Sequence, residues 1–161
     1  MQKKNIIPLI FKIRIMREKG QDDHSFLKHA IENMMPANKI LGLKIMEIRP
    51  RYVIIKVPFK KEFIGDYLQK RWHGGILAAI ADTAGGAAGA TTLDSLQDRI
   101  NTLDMRIDYL HPTVEGYILA KAKIVKSGKA TAVVDVELFQ SEQKDPVALA
   151  RCIYSIHRNG S

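Results

Sequence analysis

Residues 73–92 read HGGILAAIADTAGGAAGATT, and Asp82 is the only acidic residue among them. Its neighbours are small or apolar, so the segment reads as a helix buried against other elements. A carboxylate in such a helix loses its hydration and must be paired, protonated or put to chemical use. Gly74 and Gly75 open the same segment, where a helix presents bare backbone N–H groups and receives developing negative charge best. A carboxylate and an oxyanion receptor on one element point to hydrolysis of an activated carbonyl. The competing reading of Asp82 is a structural carboxylate hydrogen-bonded across a dimer interface.

Spacing adds a constraint. Asp82 follows Gly74 by eight residues, which on a helix is about 12 Å along the axis. A reacting carbonyl must touch both the donors and the base or nucleophile within about 3 Å. One helix cannot bring both to one atom, whereas two antiparallel copies related by a two-fold axis can. If the chemistry is real, the site is shared between subunits.

Something must also hold this helix closely. Gly85, Gly86 and Gly89 lie inside it, each costing about 1 kcal/mol relative to Ala. A strongly curved sheet or a second copy of the same helix would account for them. A phosphate-binding glycine loop would not, because the lysine and glycine spacings of such loops are absent.

The last 60 or so residues are strongly β. In 102–111, Leu103, Met105, Ile107 and Tyr109 alternate with Asp104, Arg106 and Asp108. In 117–126, Ile118, Ala120, Ala122 and Ile124 form one face. Ala132, Val134, Val136 and Leu138 do so in 130–140, and Ala148, Ala150, Cys152, Tyr154 and Ile156 in 146–157. Such alternation with short turns predicts an antiparallel meander with one covered face. Two further strands are expected at about 43–49 and 51–58, then a loop over 59–72 and the small-residue helix over about 74–92. Upstream, Ser25 caps a helix through Phe26, His29, Ile31 and Met34–35, stopped by Pro36.

The chain has 161 residues, enough for one domain with a sizeable core. We divide it into a basic N-terminal arm, 1–22, and a domain over 23–161. The arm mixes six basic residues, within 1–20, with Ile, Leu, Phe and Met. It reads as packing on its own domain or a partner subunit; the alternative is a lipid-surface segment. A formal charge of +8 favours anionic partners, but no aromatic-interleaved basic patch or helix-turn-helix pattern is present, so no nucleic-acid partner is expected. No stretch approaches the length of a membrane span, the N-terminus makes a poor secretory signal, and the single cysteine, Cys152, fits a reducing compartment. A cytoplasmic protein is expected. The histidines lack metal-ligand spacing, so no metal is expected. Lys121, Lys123, Lys126 and Lys129, clustered on one hairpin, form either a solvated sheet edge kept from aggregating or a docking surface for phosphates.

With these residues in hand, the chain resembles the hotdog-fold acyl-CoA thioesterases, in their PaaI-like (phenylacetate-type) branch. HGGILAAIAD, with HGG followed six residues later by Asp, matches the branch signature; TLDMRIDYLHP (102–112) and GLKIMEI (42–48) resemble two of its strands. The similarity runs from about residue 25 to 157. It implies an α+β hotdog fold, an antiparallel β-sheet wrapped around one long central helix with an N-terminal helix, assembled as a dimer or dimer of dimers. It implies hydrolysis of an acyl-CoA thioester with coenzyme A as leaving group and no other cofactor.

By that resemblance the Gly74 N–H polarises the carbonyl, and Asp82 of the other subunit attacks it or activates water. Thr102 holds the water or the carboxylate. His73, with Gly75, positions loop or substrate. The branch's Asn, six or seven residues before the histidine, is replaced here by Tyr67 and Asp66. Gln69 could supply the missing hydrogen bond; an ionised Asp66 could not. Trp72 either lines the acyl or pantetheine channel or packs against the sheet. The replaced Asn favours a rival reading, a non-catalytic acyl-CoA-binding protein or sensor; Asp82 and Thr102 favour the enzyme.

Overall fold

The computed structural model describes residues 23–95, 97–141 and 143–159; the basic arm, 1–22, lies outside them. Its elements run α1 (Asp23–His29), a π-helical turn (Ala30–Met34), α2 (Pro36–Leu41), β1 (Lys44–Arg49), β2 (Tyr52–Val57), β3 (Ile64–Asp66), β4 (Arg71–Trp72), α3 (Gly74–Ala90), β5 (Arg99–Tyr109), β6 (Ile118–Ser127), β7 (Thr131–Gln140) and β8 (Ala148–His157). Six strands form one sheet in the order β1-β2-β6-β7-β8-β5, and β3 pairs with β4. Every pairing is antiparallel. Among the described residues no helix is long and apolar enough to cross a membrane.

The alternation in the sequence produces the covered face. Partner residues share a side of a sheet, so Val53, Ala122, Val136, Ala150 and Ile107 form one row across five strands. Ile55, Ala120, Leu138, Ala148 and Tyr109 form the next. Alanines on β6 and β8 alternate with larger side chains on β2 and β7, leaving a groove for the helix. The sheet curls around α3, which packs against β2, β5, β6, β7 and β8. Leu77, Ile80, Ala81, Ala84 and Ala88 fill the space between. Each large aliphatic side chain so buried contributes about 1.5–3 kcal/mol. This is the α+β hotdog architecture that the resemblance implies.

Two of the helix glycines answer to this curvature. A Cβ on Gly85 would lie 2.4 Å from the Tyr154 hydroxyl, and one on Gly89 2.3 Å from Ile100 Cδ1. Gly86 differs: its nearest neighbour would be a Tyr154 ring carbon at 3.7 Å, an ordinary contact.

Three expectations need correction. Leu103 does not share the covered face with Met105, Ile107 and Tyr109. The β5–β8 register slips between Thr102 and Asp104, and Leu103 is 60% exposed. A bulge adds one unpaired residue and shifts the phase of the alternation. Thr102 (opposite Tyr154) and Met105 (opposite Cys152) therefore both face inward.

Nor does Pro36 merely stop a helix capped by Ser25. The first helix starts at Asp23, so Ser25 lies inside it, and Pro36 begins α2. Proline suits a first helical position, lacking an N–H that would be orphaned there. It forces the residue before it out of helical geometry, and Met35 is extended (φ −87°, ψ 115°). Finally, the expected loop over 59–72 contains the β3–β4 hairpin.

Candidate active site

Asp82 lies on the half-buried side of α3 and lines a cavity of about 210 Å³. The strands behind the helix fix its carboxylate. Thr102 on β5 donates from Oγ1 to Asp82 Oδ1 at 2.8 Å. Tyr154 on β8 donates from its hydroxyl to the Asp82 carbonyl oxygen at 2.8 Å, with Oδ1 at 3.2 Å. Thr102 and Tyr154 are direct partners in the β5–β8 ladder, so one rung of the sheet supplies both hydroxyls. The bulge at Leu103 is what turns Thr102 toward the helix. Oδ2 has no protein donor among the described residues.

Tyr154 is 2% exposed. Burial first, then Cys152 and the Asp82 carboxylate, push its phenol far above the ordinary tyrosine range. It therefore keeps its proton and acts only as a donor toward Asp82. The same burial pushes the Cys152 thiol up to about 11, so it stays neutral beside the carboxylate. Tyr154 escaped the sequence reading as a site residue because it occupies an apolar position in the β8 alternation. The one available signal was a polar-tipped side chain in a row otherwise made of Ala, Cys and Ile.

The other end of α3 is built differently. His73 is the N-cap, extended at φ −67° and ψ 130°, and its Nδ1 accepts from the Gly75 N–H at 2.9 Å. Capping of this kind satisfies one of the orphan donors of a helix start. The adjacent Gly74 N–H has no protein acceptor among the described residues. Tyr109, at the end of β5, donates to the Gly74 carbonyl at 2.8 Å. The hairpin orients this corner: His73 N–H donates to Phe63 O at 2.7 Å. A Cβ on Gly65 would sit 2.7 Å from His73 Cα, so the two strands pass only because that position is bare.

The remaining candidates are placed apart from the Asp82 cavity. Asp66 Oδ1 accepts from its own loop, from Leu68 N at 3.0 Å and Gln69 N at 3.2 Å, the local turn that aspartate favours. The Gln69 side chain is exposed at the hairpin tip. Trp72 packs: it is 5% exposed, with its ring centroid 5.5 Å from Phe59 and 5.6 Å from Phe63. Its Nε1 donates to Gly116 O at 3.2 Å. Lys121 and Lys123 stand opposite Glu137 and Asp135 on the outer sheet face, and Lys121 lies 4.2 Å over the Phe139 ring. Among the described residues no three His, Cys, Asp or Glu side chains converge in a way that could hold a metal ion.

The site thus offers a preset carboxylate beside an apolar cavity and, on the same helix, a free N–H at a positive helix end. Comparison with known proteins bears on this geometry. Residues 69–147 match the family model of the Thioesterase superfamily. The chain is 29% identical over 121 residues to the medium/long-chain acyl-CoA thioesterase YigI of Escherichia coli, covering 68% of this chain and 78% of that protein. It is 29% identical over 108 residues to a putative esterase of Saccharolobus solfataricus, covering 66% and 73%. Among solved structures, the PaaI protein from the phenylacetic acid degradation operon of E. coli superposes with a TM-score of 0.71 at 28% identity. That match covers 83% of this chain and 91% of PaaI.

Proposed function

We propose, from the match of residues 69–147 to the Thioesterase superfamily model, that the protein hydrolyses acyl-CoA thioesters at a site shared by two subunits. Asp82 is the catalytic carboxylate and the Gly74 N–H of the other subunit is the oxyanion donor. The observation that carries this reading is the Asp82 carboxylate itself. Thr102 and Tyr154 hold one oxygen while the other has no protein donor among the described residues, beside a cavity able to take an acyl group.

Two routes balance. As general base, Asp82 takes a proton from water while the water oxygen bonds to the carbonyl carbon. The tetrahedral oxyanion is received at Gly74, the C–S bond breaks, and the sulfur leaves as thiolate to be protonated. As nucleophile, Asp82 forms a mixed anhydride as the thiolate departs, and water then cleaves the anhydride. In either route Thr102 and Tyr154 are positioning residues.

Sharing between subunits is supported by two features of the isolated chain. Among the described residues strand β5 is the sheet's last strand, eleven residues long and paired only with β8. Leu103 and Tyr109 on it are 60% and 51% exposed. A long unprotected edge of this kind is a liability that a second copy removes. The uncovered side of α3 near its start, Gly75 and Ala79, is small enough for another helix to approach.

The test is thiol release from a panel of CoA esters by wild type and Asp82→Asn. Turnover that collapses in the variant supports the reading. The Asp66 carboxylate, tied into its own turn where the branch has Asn, favours the rival binding protein. That rival predicts tight CoA-ester binding with no thiol released from any ester.

A further inference from the structure

The cavity beside Asp82 is mainly apolar, with Asp82, Thr83, Thr102 and Tyr154 on one side and Asn38 on the other as its polar lining. Gly86, Ala87 and Ala90 form its α3 wall, and Leu27, Ile31 and Met35, spaced four residues apart, form the wall supplied by the N-terminal helices. Asn38 braces that second wall. It is 4% exposed, and its Nδ2 donates to Ile31 O at 2.9 Å and reaches Met35 Sδ at 3.2 Å.

Gly86 is the unusual member. A Cβ at Gly85 would collide with the Tyr154 hydroxyl and ring, and one at Gly89 would have to displace the terminal methyl of Ile100. No such neighbour confronts Gly86. Among the described residues a Cβ at Gly86 would meet only one atom within 4 Å, at an ordinary distance, and would otherwise enter open space. A glycine in the middle of a helix weakens it relative to alanine. Packing does not account for the cost at this position; the cavity does.

We propose that this cavity takes the acyl tail and that Gly86 sets its depth, selecting a single aryl ring or a tail of medium length. The inference rests on the thioester-hydrolase reading. A dry cavity of about 150 Å³ accommodates benzene, so 210 Å³ accommodates a ring with a short linker. On the same scale the cavity holds a linear tail of about six to eight carbons, and a sixteen-carbon tail would have to run out of it.

The experiment compares kcat/KM for acetyl-, phenylacetyl-, octanoyl- and palmitoyl-CoA in wild type, Gly86→Ala and Gly86→Leu. Wild type should prefer octanoyl or phenylacetyl over palmitoyl. The octanoyl-to-acetyl ratio should fall about tenfold in Gly86→Ala and about 100-fold in Gly86→Leu, the range that one or a few methylene groups command in a pocket. Gly86→Ala should also raise the melting temperature by about 2–4 °C, so that selectivity falls while stability rises. Identical ratios in all three proteins, or a wild-type preference for palmitoyl, would overturn the inference and leave the hydrolase reading standing. If wild type hydrolyses no ester, the hydrolase reading falls. Calorimetric affinities for octanoyl- and acetyl-CoA then decide the pocket alone, by whether their ratio drops in Gly86→Leu.

Discussion

The middle of the central helix and its N-terminal end meet the rest of the chain in opposite ways. Around Asp82 the sheet does everything: Thr102 and Tyr154, paired across β5 and β8, grip the residue through its side chain and its backbone. At the helix start, His73 occupies the Gly75 N–H, and among the described residues no acceptor takes that of Gly74. The hairpin leading to it carries Tyr67 and Leu68 at 82% and 74% exposure. On the proposed reading, the carboxylate is fixed before anything binds, and the donor for a transient oxyanion is left unused until a ligand arrives. With about 12 Å of helix between them, the proposed reaction makes each chain the carrier of two half-sites.

The largest expected effect breaks the preset half. Asp82→Asn keeps the shape and removes the proposed base or nucleophile, and should lower kcat/KM by at least about 1,000-fold, or about 4 kcal/mol of barrier, with the circular dichroism spectrum retained. A smaller loss follows from loosening the grip. Hydrogen bonds to a charged group contribute about 1.5–3 kcal/mol, so Thr102→Val and Tyr154→Phe should each lower kcat by about 10- to 100-fold. KM should move little, and Thr102→Ser should restore most of the activity lost in Thr102→Val. A purely structural role would instead lower the melting temperature without this kcat-specific pattern.

Packing around the helix gives a third contrast. Gly85→Ala forces a methyl group against the Tyr154 hydroxyl and should cost about 1–3 kcal/mol in denaturant unfolding. It should also disturb the Tyr154–Asp82 contact and slow turnover.

The smallest effect lies in the segment joining α3 to β5. The Asp98 carboxylate accepts from Asn159 N at 3.0 Å and from Asp94 N and Ser95 N, each at 3.0 Å. These N–H groups, Asn159 foremost, hold it below the ordinary carboxylate range. A carboxyl whose folded value is depressed stabilises the protein above its unfolded value, near pH 4, and loses that contribution as pH falls through the lowered one. Asp98→Asn should be less stable than wild type at neutral pH and show a flatter stability profile below about pH 4.

Much of this contrast was legible in the chain. The inward rows of β6, β7 and β8 follow from alternation alone. Asp82 and the glycines before it stand out because a charge and bare backbone are rare in an apolar helix. Thr102 was named by resemblance, yet simple alternation set it on the face opposite Met105. Alternation carries phase within a strand but no knowledge of its partner, so the bulge at Leu103 was invisible. Tyr154 hid for the related reason that a buried strand position accepts any large side chain. Its hydroxyl acquires meaning only once β8 is laid beneath Asp82.

The claim that two half-sites from two chains make one whole is tested most directly by mixing. Gly74→Pro deletes the N–H donor at a first helical position, where proline is tolerated, and His73 already has the extended backbone proline requires of its predecessor. Gly74→Pro and Asp82→Asn homodimers should each be nearly inactive. Unfolded together and refolded, they should recover about one quarter of wild-type activity, since half the dimers are mixed and each mixed dimer restores one of two sites. Activity no greater than the sum of the separate variants, with mixed dimers present, would contradict the shared site.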